Sequence, residues 1–331
     1  NRRMGFAPTL IMGLNSPTRL TVSYFHFSEN DIPDYGLPWY FGRPAPVARH
    51  NYYGFSDQNF LRTNVDIGTV RVEHSLNDHA LLHNAIRYAN YQRNWQITEP
   101  QVNNASAGII TPETPLDQGM VNRNQLAGHI VETMLWDQAD ATLTGKVFGI
   151  HQTAVVGIEG GKETSDPIRL NFNNAQGINT VPLTRLLNPD ESQPFSGTST
   201  LKSDVHTTAL SVGVYALDTF ELSRKWELTG GARWDRFGTN YSESVAQLKF
   251  YRLDEKPTWR GALIYKPTPN GSVYFDYGTS FDPSAEALSL SVGTANLPPE
   301  ESQSFEVGSK WDLKGGRFSM RGSIFRTDQE N

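Results

Sequence analysis

The chain has 331 residues, no cysteine, 29 basic and 35 acidic residues and a net charge of −6. A disulfide framework, a thiolate nucleophile and Cys-ligated zinc are thereby excluded, and neither the charge balance nor any basic run offers a nucleic-acid footprint. Mean hydropathy is negative, and no apolar run approaches the roughly 20 residues of a spanning helix, although barrel strands need only about 9–11 residues of alternating polarity.

Residues 1–13 carry Asn1, Arg2, Arg3 and an apolar stretch from Met4 to Met12. Gly5 and Pro8 interrupt that stretch, so it reads as a strand and not as a signal peptide. Period-2 alternation bounded by turn residues predicts about twelve strands. In chain order they are 3–13, 18–28, 61–75, 80–94, 131–147, 151–162, 205–222, 226–241, 257–266, 271–282, 303–313 and 317–330. The pattern is still running at Asn331, and the sequence reads as a piece of a longer protein.

Short connections fall at "NSPT" (15–18), "LNDH" (76–79), "FGI" (148–150), "SRK" (223–225), "PTPNG" (267–271) and "KGG" (314–316). Each is rich in residues that supply special backbone angles or local hydrogen bonds. Long connections are expected at 29–60, 95–130, 163–204, 242–256 and 283–302. Loops beyond about 12–15 residues are uncommon in compact domains. Because antiparallel strands alternate direction, the short turns then lie at one end of the sheet and the long loops at the other.

In "WELTGGARWDRF" (226–237), Trp226, Leu228, Ala232 and Trp234 alternate with Glu227, Thr229, Arg233 and Asp235. The segments around Trp259, Phe275 and Val307 sort in the same way. A soluble antiparallel sheet with one buried face and a barrel with lipid outside both give this alternation. The asymmetry of loop length favours the barrel, which has short turns on one side of the membrane and long loops on the other. Trp226, Trp234, Tyr265, Tyr277 and Trp311 are candidates for interfacial aromatic girdles. In "VYALDTFEL" (214–222) the alternation slips around Leu217 and Asp218, which predicts a bulge.

"PEESQSFEVGSKWDL" (299–313) resembles the Pro-Glu-x-Ser…Glu-x-Gly-x-Lys signature of TonB-dependent outer-membrane siderophore receptors. "YALDTFELSRKWELTGGARWDRF" (215–237) resembles that family's strand–turn–strand with Gly231, Arg233 and Asp235 as Gly-x-Arg-x-Asp. "GSIFRTDQEN" (322–331) is similar to the strand after the Pro-Glu signature, and "LTVSYFHFSENDIPDYGLPW" (20–39) to an early strand and loop of catecholate-type receptors. The resemblance spans most of the chain in the family's order. It implies an all-β antiparallel meander of about twelve strands, taken from the middle of a transmembrane barrel of about 22 strands with a plugged lumen. It implies further a bacterial outer membrane, a ferric siderophore as cargo, Fe(III) entering only as part of that cargo and no cofactor, and energisation through TonB. No plug, TonB box or closing C-terminal strand is recognisable in 1–331. A passive porin-like or carbohydrate channel, or a soluble all-β adhesin, are the competing readings.

Catalytic and metal signals are weak. His79 and His83 have helical metal-site spacing, but four residues along a strand span about 13 Å. "GIEGGKET" (157–164) has Val156 where a phosphate loop needs glycine and Glu163 where it needs Ser or Thr, so it reads as a strand end entering a loop. No Gly-x-Ser-x-Gly elbow occurs, and the acids of "NPDES" (188–192) and "PPEES" (298–302) read as solvated. Ligand chemistry is expected in the long loops instead. Tyr40, Arg43, Tyr52 and Tyr53 put a cation among aromatics, a combination that binds an anionic aromatic chelate by charge and stacking.

Overall fold

The computed structural model describes residues 1–102, 108, 110–174, 177–283, 288 and 297–330. The strands are β1 Arg2–Phe6, β2 Thr9–Met12, β3 Thr18–Asp31, β4 Trp39–Tyr40, β5 Arg43–Pro44, β6 Phe60–Asn77, β7 Ala80–Gln101 and β8 Met120–Val147. They continue with β9 Ile150–Asn171, β10 Thr184–Arg185, β11 Thr200–Ser223, β12 Trp226–Glu243, β13 Leu248–Thr268, β14 Gly271–Asp282, β15 Glu300–Leu313 and β16 Phe318–Glu330. Among the described residues there is no helix. One sheet runs β1-β3-β6-β7-β8-β9-β11-β12-β13-β14-β15-β16, with β2 added to β3 and β10 to β8.

All pairings are antiparallel and, apart from the short β10 on β8, they follow chain order, as expected of a meander. β1 and β2 are one strand in register: Phe6 faces His26 and Thr9 faces Ser23 on the same ladder. Pro8, which lacks an N–H, interrupts it, while its carbonyl still accepts from Tyr24 N at 3.1 Å.

Several strands outrun the sequence pattern. β7 reaches Gln101, β8 begins at Met120, β9 reaches Asn171 and β11 begins at Thr200. The expected loops 95–130 and 163–204 therefore shrink to 102–119 and 172–199. The expected long loop 242–256 is a tight turn: β12 ends at Glu243, β13 begins at Leu248, and Gln247 has φ 54°. The Glu243 carboxylate accepts from Val245 N at 3.0 Å and from Ala246 N, which closes the turn. The segment "GIEGGKET" lies wholly inside β9, not at a strand end. Its Gly161 is needed because a Cβ there would lie 2.5 Å from the Trp136 ring.

The two faces are sorted by polarity in an inverted sense. On β12 every apolar residue from Trp226 to Trp234 is exposed, Leu228 at 43%, whereas the polar face is the shielded one, the Asp235 side chain at 19%. The apolar side is thus the outer surface of the curved sheet, and the polar side is its concave wall. Register carries the apolar face across the sheet through Val214, Ile158, Leu135, Ile86 and Val72 on one side and Leu263, Phe275 and Val307 on the other. The anticipated slip at Leu217 and Asp218 involves no bulge: pairing with β12 is unbroken from Val205 to Phe220, and the irregularity falls between Phe220 and Ser223. Leu217 simply faces the polar side and Asp218 the apolar side, where Asp218 Oδ1 is shielded without a hydrogen-bond partner.

Candidate functional site

The side chains buried as a conventional core gather at the long-loop end. One cluster is Tyr40, Ala45, Tyr53, Ile110, Val121 and Leu186. A second is Phe55, Ala127, Phe172 and Val181, with Phe195 against it. Among the described residues, the loops between β3 and β6, β7 and β8, and β9 and β11 bury these apolar side chains against Val121 and Ala127 of β8. Full burial of an aromatic such as Phe55 contributes about 1.5–3 kcal/mol.

Polar groups pin this assembly. Asn59 Nδ2 donates to Thr98 Oγ1 at 3.0 Å and to the Tyr52 hydroxyl at 2.9 Å, and Gln125 Nε2 donates to Asn59 Oδ1 at 2.9 Å. The fully buried Arg123 lies 4.3 Å over the Phe55 ring and donates to Gln193 Oε1 at 3.2 Å and to the Asp190 carbonyl. Its Nε is buried without a partner. Burial pulls the Arg123 guanidinium down to about 10, with the charge of Asp190 working the other way.

The four expected loop residues take different places. Arg43 is exposed, and its Cα partner across the β4–β5 hairpin is Tyr40. Tyr40 is 6% exposed and meets Phe41 edge-on at 4.6 Å. Tyr53 is 1% exposed, and its hydroxyl donates to the Leu186 carbonyl at 2.7 Å. Tyr52 donates to the Pro33 carbonyl at 3.2 Å, and burial pushes its hydroxyl up to about 12 against the hydrogen bond from Asn59. Tyr40 and Tyr53 share a core, and Arg43 stands in solvent beside it. At the hairpin tip Phe41 adopts φ 44° and Gly42 φ 82°. A left-handed conformation is unusual for a bulky residue, and here it leaves the Phe41 ring exposed.

The concave wall is a charge network. Arg233 donates to Asp235 at 2.7 Å and to Glu159 at 2.6 Å and lies over the Tyr215 ring at 5.6 Å. Gln138 Nε2 donates to the Tyr215 hydroxyl at 2.9 Å. Gly213 makes room, since a Cβ there would sit 2.3 Å from the guanidinium. His83 pairs with Asp140 at 2.9 Å, while His79 sits in the turn, its N–H donating to Asn77 Oδ1 at 2.8 Å. Among the described residues no group of three His, Cys, Asp or Glu could hold a metal ion.

Sequence reasoning singled out Arg233 and Asp235 as a motif but missed Asn59, Thr98, Arg123 and Gln125. The signal that could have found Arg123 and Gln125 is the run of four consecutive polar residues Asn122, Arg123, Asn124 and Gln125, which makes little sense on a lipid-facing strand and good sense under a polar lid.

Residues 6–331 match the family model described as "TonB dependent receptor-like, beta-barrel". The chain is 30% identical over 368 residues to "Probable TonB-dependent siderophore receptor PiuA" of Acinetobacter baumannii, covering 100% of this chain and 47% of the relative. It is 26% identical to the catecholate siderophore receptor Fiu of Escherichia coli K12, with 100% and 48% covered. The crystal structure of the siderophore receptor PiuA from A. baumannii superposes with a TM-score of 0.85 at 28% identity, over 98% of this chain and 49% of that one. The chain thus spans about half the length of the curated relatives it matches.

Proposed function

The chain belongs to the TonB-dependent receptor-like β-barrel family, whose members are receptors and not enzymes, and from that premise we propose that it forms part of a bacterial outer-membrane receptor that takes up a ferric siderophore. The observation that carries this reading is the inverted sorting of the faces together with packed loop cores at one end only. The apolar face then meets lipid, the polar wall lines the lumen and the long loops face outside. Trp226, whose ring lies tilted against Tyr265 with centroids 4.6 Å apart, and Trp234 mark two borders eight residues apart on β12. That is about 26 Å along the strand, or about 20 Å along the membrane normal at a tilt of about 40°, close to the roughly 25 Å band of such barrels. Just beyond the upper border the outer face turns polar, with His26–Asp66 at 2.8 Å and Arg236–Glu255 at 3.4 Å.

In this reading the chain is the barrel's middle portion, the full barrel has about 22 strands, and the plug and the TonB-contacting segment belong to the rest of the protein. Arg43 contacts the ligand, and Tyr40, Tyr52 and Tyr53 hold the loop that presents it. Two relatives named as siderophore receptors support the cargo. The test is binding and uptake of ferric siderophores by cells bearing the whole receptor. Saturable binding with uptake that stops when the inner membrane is de-energised supports the receptor. Uptake proportional to concentration and indifferent to energy would establish the passive channel instead, and a chain that stays soluble without detergent is not a barrel at all.

A further inference from the structure

At the short-turn end of β11–β16, cations and aromatics fall on one border. Arg224 and Lys225 form the tip of the β11–β12 turn, and Lys314 and Arg317 flank the glycines of the β15–β16 turn, all four exposed. Among the described residues none of the four has an ion-pair partner. Directly above them on the outer face stand Trp226, Tyr265, Trp311 and Phe318. Trp226 faces Tyr265 in the ladder, Gly271 faces Trp311 and Leu313 faces Phe318. The Trp311 ring is seated over Gly271, where a Cβ would lie 2.2 Å from it.

The turns are joined. Lys266 N donates to the Lys225 carbonyl at 2.7 Å, and Asp312 N donates to the Asn270 carbonyl at 2.8 Å. The resulting rim spans four strand spacings of about 4.8 Å, or roughly 20 Å. Its acids leave the cations unmatched: Glu227 meets Lys266, Asp312 accepts from Ser319 Oγ at 2.6 Å, and both alternate with Glu221 onto the concave wall.

This charge is local. The turns at 15–18, 76–79 and 148–150 contain neither Lys nor Arg. At the opposite end, in loops 102–119 and 172–199, Glu113, Asp117, Asp190 and Glu191 are answered by Arg185 alone. Indole and phenol rings prefer the membrane–water interface, and Lys or Arg beside that interface attracts anionic lipid. A zwitterionic headgroup neutralises its own phosphate, so a row of unmatched cations beneath aromatics favours a headgroup with net negative charge.

We propose that this rim binds the phosphodiester headgroups of an anionic phospholipid, of the phosphatidylglycerol kind, in the leaflet on the short-turn side. The inference rests on the reading above that places the apolar face in lipid. It is tested with the whole receptor, any cysteines of its remaining portion removed, in phosphatidylcholine vesicles. A fluorophore is carried either by Val273→Cys, on the outer face above the rim, or by Leu82→Cys, on the same face above the turn at 76–79. Brominated phosphatidylglycerol is expected to quench the Val273 probe at a roughly three- to five-fold lower mole fraction than brominated phosphatidylcholine does, the scale of one Lys or Arg beside an anionic leaflet. The Leu82 probe should not distinguish the two lipids. Combining Arg224→Gln, Lys225→Gln, Lys314→Gln and Arg317→Gln should bring the Val273 ratio to one, and so should about 1 M salt on the unsubstituted rim, a readout that needs no loss of charge by mutation. Equal quenching at Val273, the same preference at Leu82, or a ratio that survives the quadruple variant or the salt would each overturn the inference while the barrel reading stands. Retention of the receptor on isolated peptidoglycan through these four cations, without a lipid preference, would assign the rim to cell-wall carboxylates and overturn it as well. If neither lipid quenches either probe, the apolar face is not in lipid, and the barrel reading falls together with this inference.

Discussion

The lower and upper parts of the same strands obey different rules. Along Trp226–Trp234 of β12 one face is apolar and the other polar or charged, and only the reversed pair Leu217 and Asp218 of β11 breaks the sorting beside it. From Asp235 to Glu243 and on into Leu248–Pro257 of β13, the hydrogen-bonded ladder continues unchanged while polar residues occupy both faces. The ladder needs only backbone groups, whereas side-chain sorting needs two solvents of different polarity. Where both faces meet water or a polar lid, the strand persists and the pattern disappears.

The sharpest way to break that contrast is to place the same charge in both regions. Leu228 and Leu253 occupy the same outward face and are similarly exposed, at 43% and 38%. Leu228→Arg is expected to cost about 2–4 kcal/mol, as a cation does near the midplane of a barrel's lipid face, and to lower the amount of receptor in the membrane. Leu253→Arg lies above the upper border and is expected to stay within about 0.5 kcal/mol. Equal effects in heat-modifiability and membrane yield would dissolve the distinction between the two regions.

The loop assembly should fail separately from the barrel. Phe55→Ala removes a fully buried ring from beneath Arg123 and is expected to destabilise the loop cluster by about 3–5 kcal/mol. External protease should then cut within 45–59, while the barrel keeps its resistance to detergent and heat. A barrel that unfolds together with the loops would show one cooperative unit and not two.

Tyr52 and Arg123 sharpen the same comparison through pH. The folded Tyr52 hydroxyl stands at about 12 against an ordinary 10.0, so the folded loop holds its proton more tightly than the unfolded one. Its stabilisation is complete below pH 10 and is lost as pH rises toward 12. Arg123 is shifted down to about 10, so its burial penalty is relieved over the same range and partly offsets the loss. Tyr52→Phe should remove the tyrosine part and cost about 1 kcal/mol near neutrality, measured by amide exchange in the loops. An unchanged alkaline profile would contradict the buried placement of Tyr52.

The smallest expected effect is at the β12–β13 turn. Hydrogen bonds from Ala246 N first, and from Asp204 and Val245 N, hold the Glu243 carboxyl below its usual range. The contribution is therefore present above that range and lost as pH falls through the lowered value. Glu243→Gln should speed amide exchange at 244–247 alone, and exchange spreading along β12 would show a larger role.

The meander, the turn positions and the outward identity of Trp226, Leu263, Phe275 and Val307 were legible because lipid enforces alternation. The ends of β7, β8, β9 and β13 were not, because Arg123, Gln125 and Lys256 are as acceptable in a loop as on a strand with water or polar groups on both faces. Tyr40, Arg43, Tyr52 and Tyr53 could be chosen by chemistry from one loop, yet their division between core and solvent depends on Leu186 and Pro33, contacts no local pattern announces. Arg224, Lys225, Lys314 and Arg317 come from two separate turns, and only the register that aligns Trp226 with Tyr265 and Gly271 with Trp311 sets them beneath one aromatic border.

The absence of cysteine throughout the 331 residues makes the central claim directly measurable. Single cysteines placed in turn at residues 226–235 of the whole receptor, with any cysteines of its remaining portion removed, would be labelled in intact membranes with a water-soluble maleimide. The account predicts a two-residue period, with Glu227, Thr229, Gly231, Arg233 and Asp235 positions labelled and Trp226, Leu228, Gly230, Ala232 and Trp234 positions protected and quenched by lipid-borne nitroxide. Uniform labelling, or protection of the odd positions instead, would contradict it.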